Sequence, residues 1–134
     1  MERYTLPRQL VEDILRHAQS SPESEVCGLI AARNGRPQRC IAVANISPHP
    51  QTLFQMDPKQ QIDAFRDIRE AGEELFAIYH SHPHGPPKPS AIDLQQAAYP
   101  EALYLIVSSG QEGTAQIRGY RLKCGNAIEV KLNT

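Results

Sequence analysis

The sequence is poor in cysteine, in excess charge and in long hydrophobic runs, and each shortage excludes a class of protein. Its three cysteines, Cys27, Cys40 and Cys124, are widely spaced and form no C-x-x-C pair. This pattern favours neither a disulfide framework nor a thiolate zinc site, so we expect reduced, structural thiols. The 14 basic and 15 acidic side chains give a formal net charge of -1. Such a balance argues against nucleic acid as the main partner.

The apolar stretches are too short to enter a membrane. The longest, residues 26–32 and 102–107, fall far below the roughly 20 residues that span a bilayer. The first residues also lack the apolar core of a signal peptide. We therefore expect a cytoplasmic protein without a membrane partner.

Composition and length are those of one ordinary globular domain. Of the 134 residues, 40% are hydrophobic and 22% are charged, which excludes disordered and coiled-coil classes. The sequence contains neither an internal repeat nor a low-complexity tract. Residues 1–134 are accordingly expected to form a single domain.

Hydrophobic periodicity predicts helices that interleave with short strands. A helix is predicted over residues 6–20, a second over 57–72 after Asp57-Pro58, and a short third one from the capping-box-like pair of Ser90 and Asp93. The predicted strands cover residues 26–32, 39–45, 75–79, 103–108, 115–123 and 127–132, with turns at 34–35, at 109–110 with 113, and at 125–126. This order predicts an α+β fold with a mixed, mostly antiparallel curved sheet flanked by helices.

The stretch of residues 80–93 contains the pattern that indicates chemistry. His80 and His82 end a predicted strand, and because residues two apart in an extended chain point to the same side, both imidazoles can bind one ion. Asp93 follows after a loop that four prolines keep extended. Two nitrogens and one carboxylate leave a fourth tetrahedral position open for water, which is typical of a catalytic zinc site. The predicted reaction class is hydrolysis.

Each of these residues, taken alone, has a simpler structural interpretation. Asp93 complements a helix dipole, Ser90 acts as an N-cap, and a histidine at a strand end is usually a polar terminus. Singly, we favour that interpretation for every one of them. Taken together at this spacing, however, the four residues favour a catalytic metal site.

That pattern, H-S-H-P, six residues, Ser, two residues and Asp, resembles the signature of the JAMM (MPN+) zinc metalloprotease family. The upstream segment 22–30, in which Glu25 precedes Cys-Gly-Leu, resembles the same family. The likeness extends from the first helix through the strand 103–108. It implies the MPN/JAMM fold, which is cytidine-deaminase-like.

The resemblance also implies a role for each matching residue. His80, His82 and Asp93 correspond to the zinc ligands. Glu25 corresponds to the general base that takes a proton from the attacking water, and Ser90 to the hydroxyl that hydrogen-bonds the developing oxyanion. Glu25 lies 55 positions before His80, so spacing alone does not link it to the site.

The remaining histidines and Cys27 are expected to lie outside the reaction. Cys27 is interpreted as a small buried strand residue rather than a nucleophile. His17 is expected at the surface, and His49 has no paired ligand nearby in the sequence. His84 is expected to line the cleft, and the alternative that it reaches the metal stays open.

Two features of the chain indicate which branch of the family it resembles. Deubiquitinating members carry two insertions; here the first is only the loop 46–56, and the second is absent because residues 94–100 lead directly to a strand. The compact bacterial and archaeal type, which includes CysO-cysteine peptidase, is the better match. Its substrates are the Gly-Gly tails of ubiquitin-like sulfur-carrier proteins or their adducts. The alternatives are a RadC-like protein with a DNA-related role, suggested by H-P-x-G-x-P-x-P-S, and a non-catalytic metal-binding interaction module.

Overall fold

The computed structural model describes residues 2–108 and 115–134. Within these ranges it contains one seven-stranded sheet and three helices. The strands are β1 (Arg3–Thr5), β2 (Cys27–Arg33), β3 (Arg36–Val43), β4 (Glu74–His82), β5 (Leu103–Ser108), β6 (Gln116–Lys123) and β7 (Asn126–Asn133). The helices are α1 (Arg8–Gln19), α2 (Pro58–Glu70) and α3 (Ala91–Gln96). None of these helices is long and apolar enough to cross a membrane.

The sheet is mixed and mostly antiparallel, as the sequence predicts. Its strand order is β1-β7-β6-β5-β4-β2-β3. Only the pairs β4–β5 and β1–β7 are parallel. The sheet is curled. Three strands separate β1 from β4 in the strand order, yet the ring centroids of Tyr4 in β1 and Phe76 in β4 lie 5.6 Å apart, edge to face. The predicted α+β fold is confirmed.

The parallel pairing of β4 with β5 positions the candidate site. A parallel pair needs a crossover connection, and here the crossover contains the proline-rich loop and α3. The chain therefore leaves the carboxyl end of β4, turns, and begins α3 close to that end of the strand.

Two hydrophobic clusters cover the two faces of the sheet. Alternate residues of β5 enter different clusters: Leu103, Leu105 and Val107 pack towards α1, whereas Tyr104 and Ile106 pack towards α2. Burial on both faces explains why β5 is a continuous apolar run. The helices contribute their apolar stripes to these clusters, with Leu10, Ile14 and Ala18 from α1 and Ala64 and Ile68 from α2.

The helix starts follow the predicted capping chemistry. The Asp57 side chain accepts a hydrogen bond from the Lys59 N–H at the start of α2, with Pro58 in the first turn. At α3, Ser90 and Asp93 form a complete capping box. The Asn34-Gly35 turn between β2 and β3 has positive φ at both residues, 53° and 76°, as a two-residue hairpin turn requires.

The structure differs from the sequence prediction at β1 and at two strand ends. β1 has only three residues and is stabilised by parallel pairing with β7, so it leaves no periodic signal. β3 begins at Arg36, and β4 continues to His82 because its last residues pair with β5 as far as Ser108. The predicted turn at Ser109-Gly110 with Gly113 lies outside the described residues.

Candidate active site

His80 and His82 project from the last residues of β4 towards the same point. Their Nε2 atoms lie 3.1 Å apart. His80 is buried, with 1% of its surface exposed. Ser81, between them, points away and accepts a hydrogen bond from the Val26 N–H through Oγ at 2.9 Å. The alternation of the strand therefore presents both imidazoles together, as the spacing predicts.

Asp93 reaches these histidines from the first turn of α3. Its Oδ2 lies 3.2 Å from the Nε2 of each. The three atoms form a nearly equilateral triangle. Ligands held at about 2.0–2.1 Å around a tetrahedral zinc ion lie roughly 3.3 Å apart, so this triangle has the dimensions of a zinc face.

The orientation of His82 is fixed by a backbone carbonyl. Its Nδ1 lies 2.9 Å from the Pro86 oxygen. A carbonyl only accepts, so Nδ1 carries the proton and Nε2 keeps its lone pair towards the triangle. The His80 ring is held differently: it stacks on Phe54, with ring centroids 4.5 Å apart and 24° between the planes.

The ionisation of these groups suits metal binding. Burial lowers the pKa of His80, so its ring stays neutral. Burial also opposes protonation of His82, but its bonds to Asp93 and to the Pro86 carbonyl raise the pKa overall. For Asp93, burial acts upward, yet its close contacts with the Nε2 atoms of both histidines hold its pKa well below the usual range. Asp93 is thus a carboxylate at neutral pH.

A second carboxylate, Glu25, faces the same histidines from a position two residues before β2. Its ligand atom and those of His80 and His82 all lie within 4.8 Å of one another. Glu25 is 5% exposed, and its Oε1 has no hydrogen-bond partner among the described residues. Burial raises its pKa to about 7. A carboxyl group of that pKa exchanges protons efficiently at neutral pH.

Ser90 is the N-cap of α3 and is exposed. Its Oγ accepts from the Asp93 N–H at 3.1 Å, while its own N–H donates to Asp93 Oδ2 at 2.9 Å. The hydroxyl proton is not used in the capping box. The structure therefore brings His80, His82, Asp93 and Glu25 together and places Ser90 one hydrogen bond away.

Cys27, His84 and His49 lie outside the triangle of His80, His82 and Asp93. Cys27 is fully buried, and burial raises the pKa of its thiol to about 12, which does not suit a nucleophile. His84 is exposed and lies 3.2 Å from Glu23 at the rim. His49 is exposed in its loop.

The surface position expected for His17 is wrong. Its Nδ1 lies 2.7 Å from the Tyr79 hydroxyl, and burial lowers its pKa. The reason is helical geometry: His17 falls seven residues after Leu10 and three after Ile14, on the buried stripe of α1. A polar side chain on such a stripe needs a partner, and Tyr79 provides one.

Sequence reasoning missed Phe54 and the cavity beside it. Phe54 separates His80 from a cavity of about 590 Å³ lined by no charged side chain. Loop residues carry no periodic signal, so nothing in the sequence pattern indicated that this ring contacts the site. The lining comprises Ser47, Pro48, Leu53, Phe54, Gln55, Met56, Gln61, Ile78, Gln96, Ala98, Tyr99 and Tyr104.

Comparison with known proteins identifies the family. Residues 7–122 match the family model described as prokaryotic homologs of the JAB domain. Since that match covers most of the chain, the protein belongs to this family. The predicted membership of the JAMM (MPN+) metalloproteases is confirmed.

Two relatives are enzymes by name. A desampylase from Haloferax volcanii is 33% identical over 119 residues, which make up 84% of this chain and 86% of the relative. A CysO-cysteine peptidase from Mycobacterium tuberculosis is 32% identical over 126 residues, 92% of this chain and 86% of the relative. Both names agree with the predicted class, a JAMM-type hydrolase.

Solved structures share the fold. A protein from Desulfitobacterium hafniense superposes with a TM-score of 0.84 at 31% identity, covering 96% of this chain and 90% of that one. A JAB1/MPN domain protein from Archaeoglobus fulgidus gives a TM-score of 0.64 at 21% identity and covers both chains completely, 100% of each. The second likeness concerns the fold alone.

Proposed function

We propose that the protein is a zinc-dependent peptidase or isopeptidase that hydrolyses the bond after the Gly-Gly tail of a ubiquitin-like sulfur-carrier protein or its adduct. The observation that carries this proposal is the triangle of His80, His82 and Asp93 with a buried, unpartnered carboxylate oxygen of Glu25 beside it. His80 and His82 end β4, Glu25 lies two residues before β2, and Asp93 lies in α3 of the crossover to β5. Because one sheet and its connections form the whole site, we treat residues 1–134 as one catalytic domain.

The donor set fits zinc. Two imidazole nitrogens and one carboxylate oxygen are typical of a catalytic zinc site, and Asp93 keeps its charge to balance the ion. A bound Zn²⁺ supplies Lewis-acid polarisation of the carbonyl and lowers the pKa of water. His82 is already in the tautomer that ligation needs.

The remaining chemistry belongs to side chains of this protein. The Glu25 carboxylate accepts a proton from the attacking water and returns it to the leaving amine, a double role that a pKa of about 7 serves. The Ser90 hydroxyl donates a hydrogen bond to the oxyanion of the substrate carbonyl.

The substrate class follows from the relatives and the short loops. The two relatives are named desampylase and CysO-cysteine peptidase, and these names agree with the substrate class that the family resemblance implies. The chain has fourteen residues between β3 and α2 and six between α3 and β5, without the insertions of the deubiquitinating members. We therefore expect an extended tail to supply most of the recognition energy. Glycines let the backbone of such a tail approach the site closely.

A non-catalytic metal module explains less of the structure. Structural zinc sites are typically closed sets of cysteine and histidine ligands, whereas this site combines two histidines with two carboxylates. A RadC-like, DNA-related role is disfavoured by the net charge of -1. The peptidase is therefore the function we propose.

The test compares two substrates at equal concentration by mass spectrometry. We expect cleavage of a sulfur carrier extended beyond its Gly-Gly end, inhibition by a chelator, and little or no cleavage of linked ubiquitin. Metal analysis should find about one zinc per chain, lost in His80→Ala and His82→Ala. Inertness towards every carrier fusion, or unchanged zinc in both variants, would overturn the proposal.

A further inference from the structure

Asn45, which follows β3, uses every hydrogen-bonding valence of its side chain. Its Nδ2 donates to the Glu25 carbonyl at 2.9 Å and to the Leu53 carbonyl at 3.0 Å. Its Oδ1 accepts from the Ser47 N–H at 3.0 Å and from the Gln55 N–H at 2.9 Å. A primary amide offers two protons and two lone pairs, so the group is fully satisfied. Such saturation at a half-buried position indicates a fixed side chain.

Two of these bonds concern the residue proposed as the base. The Glu25 carbonyl is held by Asn45, and the Glu25 N–H donates to the Pro50 carbonyl at 2.7 Å. Both backbone groups of Glu25 are thus bound by the loop that follows β3. From Val26 onward the chain is tied to β4, through Ser81. The loop, rather than the sheet, holds the backbone that carries the Glu25 carboxylate.

The other bonds concern the ring that covers a proposed metal ligand. Leu53 and Gln55 flank Phe54, and each is bonded to Asn45. Phe54 stacks on His80. One side chain therefore fixes the peptide groups on both sides of Phe54 and the carbonyl of Glu25.

We propose that Asn45 is a positioning residue that sets the place of the Glu25 carboxylate relative to His80 and His82. This inference depends on the proposed function, because it takes Glu25 as the base. An aspartate has the same shape but would direct lone pairs at two carbonyl oxygens. The four contacts require two N–H donors and two oxygen lone pairs on a side chain of this length, and the primary amide of asparagine supplies them.

The test uses Asn45→Asp, with Gln60→Ala as a matched control. Gln60 Oε1 accepts a hydrogen bond from the N–H of Ala44, the residue before Asn45, at 2.8 Å, and its removal should leave turnover within about twofold. For Asn45→Asp we expect kcat to fall about tenfold to a hundredfold, because small misplacements of a catalytic group have effects of that size. KM should stay within about threefold. Asn45→Ser, which is uncharged, replaces it if the aspartate variant does not fold.

A double-mutant cycle separates positioning from general loosening. If Asn45 acts through Glu25, its substitution should have little further effect on kcat once Glu25→Gln is present. Full additivity of the two losses would overturn the proposal.

Hydrogen exchange of the metal-free protein gives a readout independent of activity. In the Asn45 variant the amides of Glu25 and Gln55 should exchange about tenfold faster, while those of β5 keep their protection. Unchanged protection would overturn the inference. If the wild type cleaves no carrier fusion, the proposed function fails, and the exchange result alone decides whether Asn45 fixes this loop.

Discussion

The two faces of β4 treat buried polar groups in opposite ways. On the face of the candidate site, His80 Nδ1 and Glu25 Oε1 are buried without a hydrogen-bond partner among the described residues. On the opposite face, the Tyr79 hydroxyl lies 2.7 Å from His17 Nδ1 and accepts from the Cys40 thiol at 3.4 Å. Two neighbouring residues of β4 therefore differ: His80 has a buried ring nitrogen without a hydrogen-bond partner in the described part of the chain, whereas the Tyr79 hydroxyl has two partners.

The difference shows where the chain accepts a loss of stability. An unpartnered buried polar atom costs about 1–3 kcal/mol, and native structures contain few of them. Two such atoms near a triangle of potential ligands support the proposed reactivity, since they add nothing to folding stability. The Tyr79 hydroxyl, by contrast, contacts His17 of α1 and Cys40 of β3 and so connects both elements to β4. Variants on the two faces should therefore separate activity from stability.

The largest effect is expected at Glu25. Glu25→Gln keeps the size of the side chain but cannot accept a proton, so hydrolysis should fall roughly a hundredfold or more while zinc stays bound. The free energy of unfolding should stay equal or rise, because a neutral amide is cheaper to bury than a carboxylate. Turnover of a carrier fusion and a denaturant titration measure the two quantities. Equal turnover in variant and wild type would assign the base to another group.

Next in size is the effect of a methyl group at Gly28, on the Tyr79 face. A Cβ there would lie 2.5 Å from the Ile41 carbonyl oxygen and 2.5 Å from two atoms of the Tyr79 ring and hydroxyl. We expect Gly28→Ala to lower the free energy of unfolding by about 1–3 kcal/mol, the usual cost of overpacking.

Gly85→Ala is the control for that substitution. A Cβ at Gly85 would meet nothing closer than 3.9 Å, so its unfolding midpoint should match that of the wild type. Equal midpoints for Gly28→Ala and the wild type would mean that β2 and Tyr79 are not packed as described.

A smaller loss is expected for Tyr79→Phe. The variant keeps the ring and removes the hydroxyl shared by His17 and Cys40. Loss of a partly buried hydrogen bond costs about 1 kcal/mol, whereas turnover should remain within about twofold, because Tyr79 points away from the site. A large fall in turnover at unchanged stability would contradict the division between the two faces.

The sequence predicts those parts of the candidate site whose residues lie close together along the chain. His80 and His82 alternate along one strand, and Asp93 lies in a capping box that is legible in five letters of sequence, S-A-I-D-L. Glu25 joins them through the pairing of Cys27 with His80 across β2 and β4 and through the loop that follows β3. That pairing is long-range, so only the family resemblance pointed to it.

Loop hydrogen bonds and short edge strands were not predictable for a physical reason. The four bonds of Asn45 connect backbone groups that have no characteristic residue type, and Phe54 lies in a segment without periodicity. β1 is stable only because β7 lies beside it. Helices, hairpins and buried strands were predictable because each is fixed by neighbours in sequence.

The smallest expected effect is the pH dependence of stability due to His17. Burial places its pKa below the ordinary value of about 6.5 for histidine. As the pH falls through that ordinary value, the unfolded chain binds a proton that the folded chain resists, so His17 makes the free energy of unfolding decrease. The decrease ends once the pH is below the folded pKa as well. Because the chain contains five histidines, the measurement is the difference between His17→Gln and the wild type. In denaturant titrations from pH 8 to pH 5, the wild type should lose more stability than the variant, and parallel curves would mean that His17 is not held neutral against Tyr79.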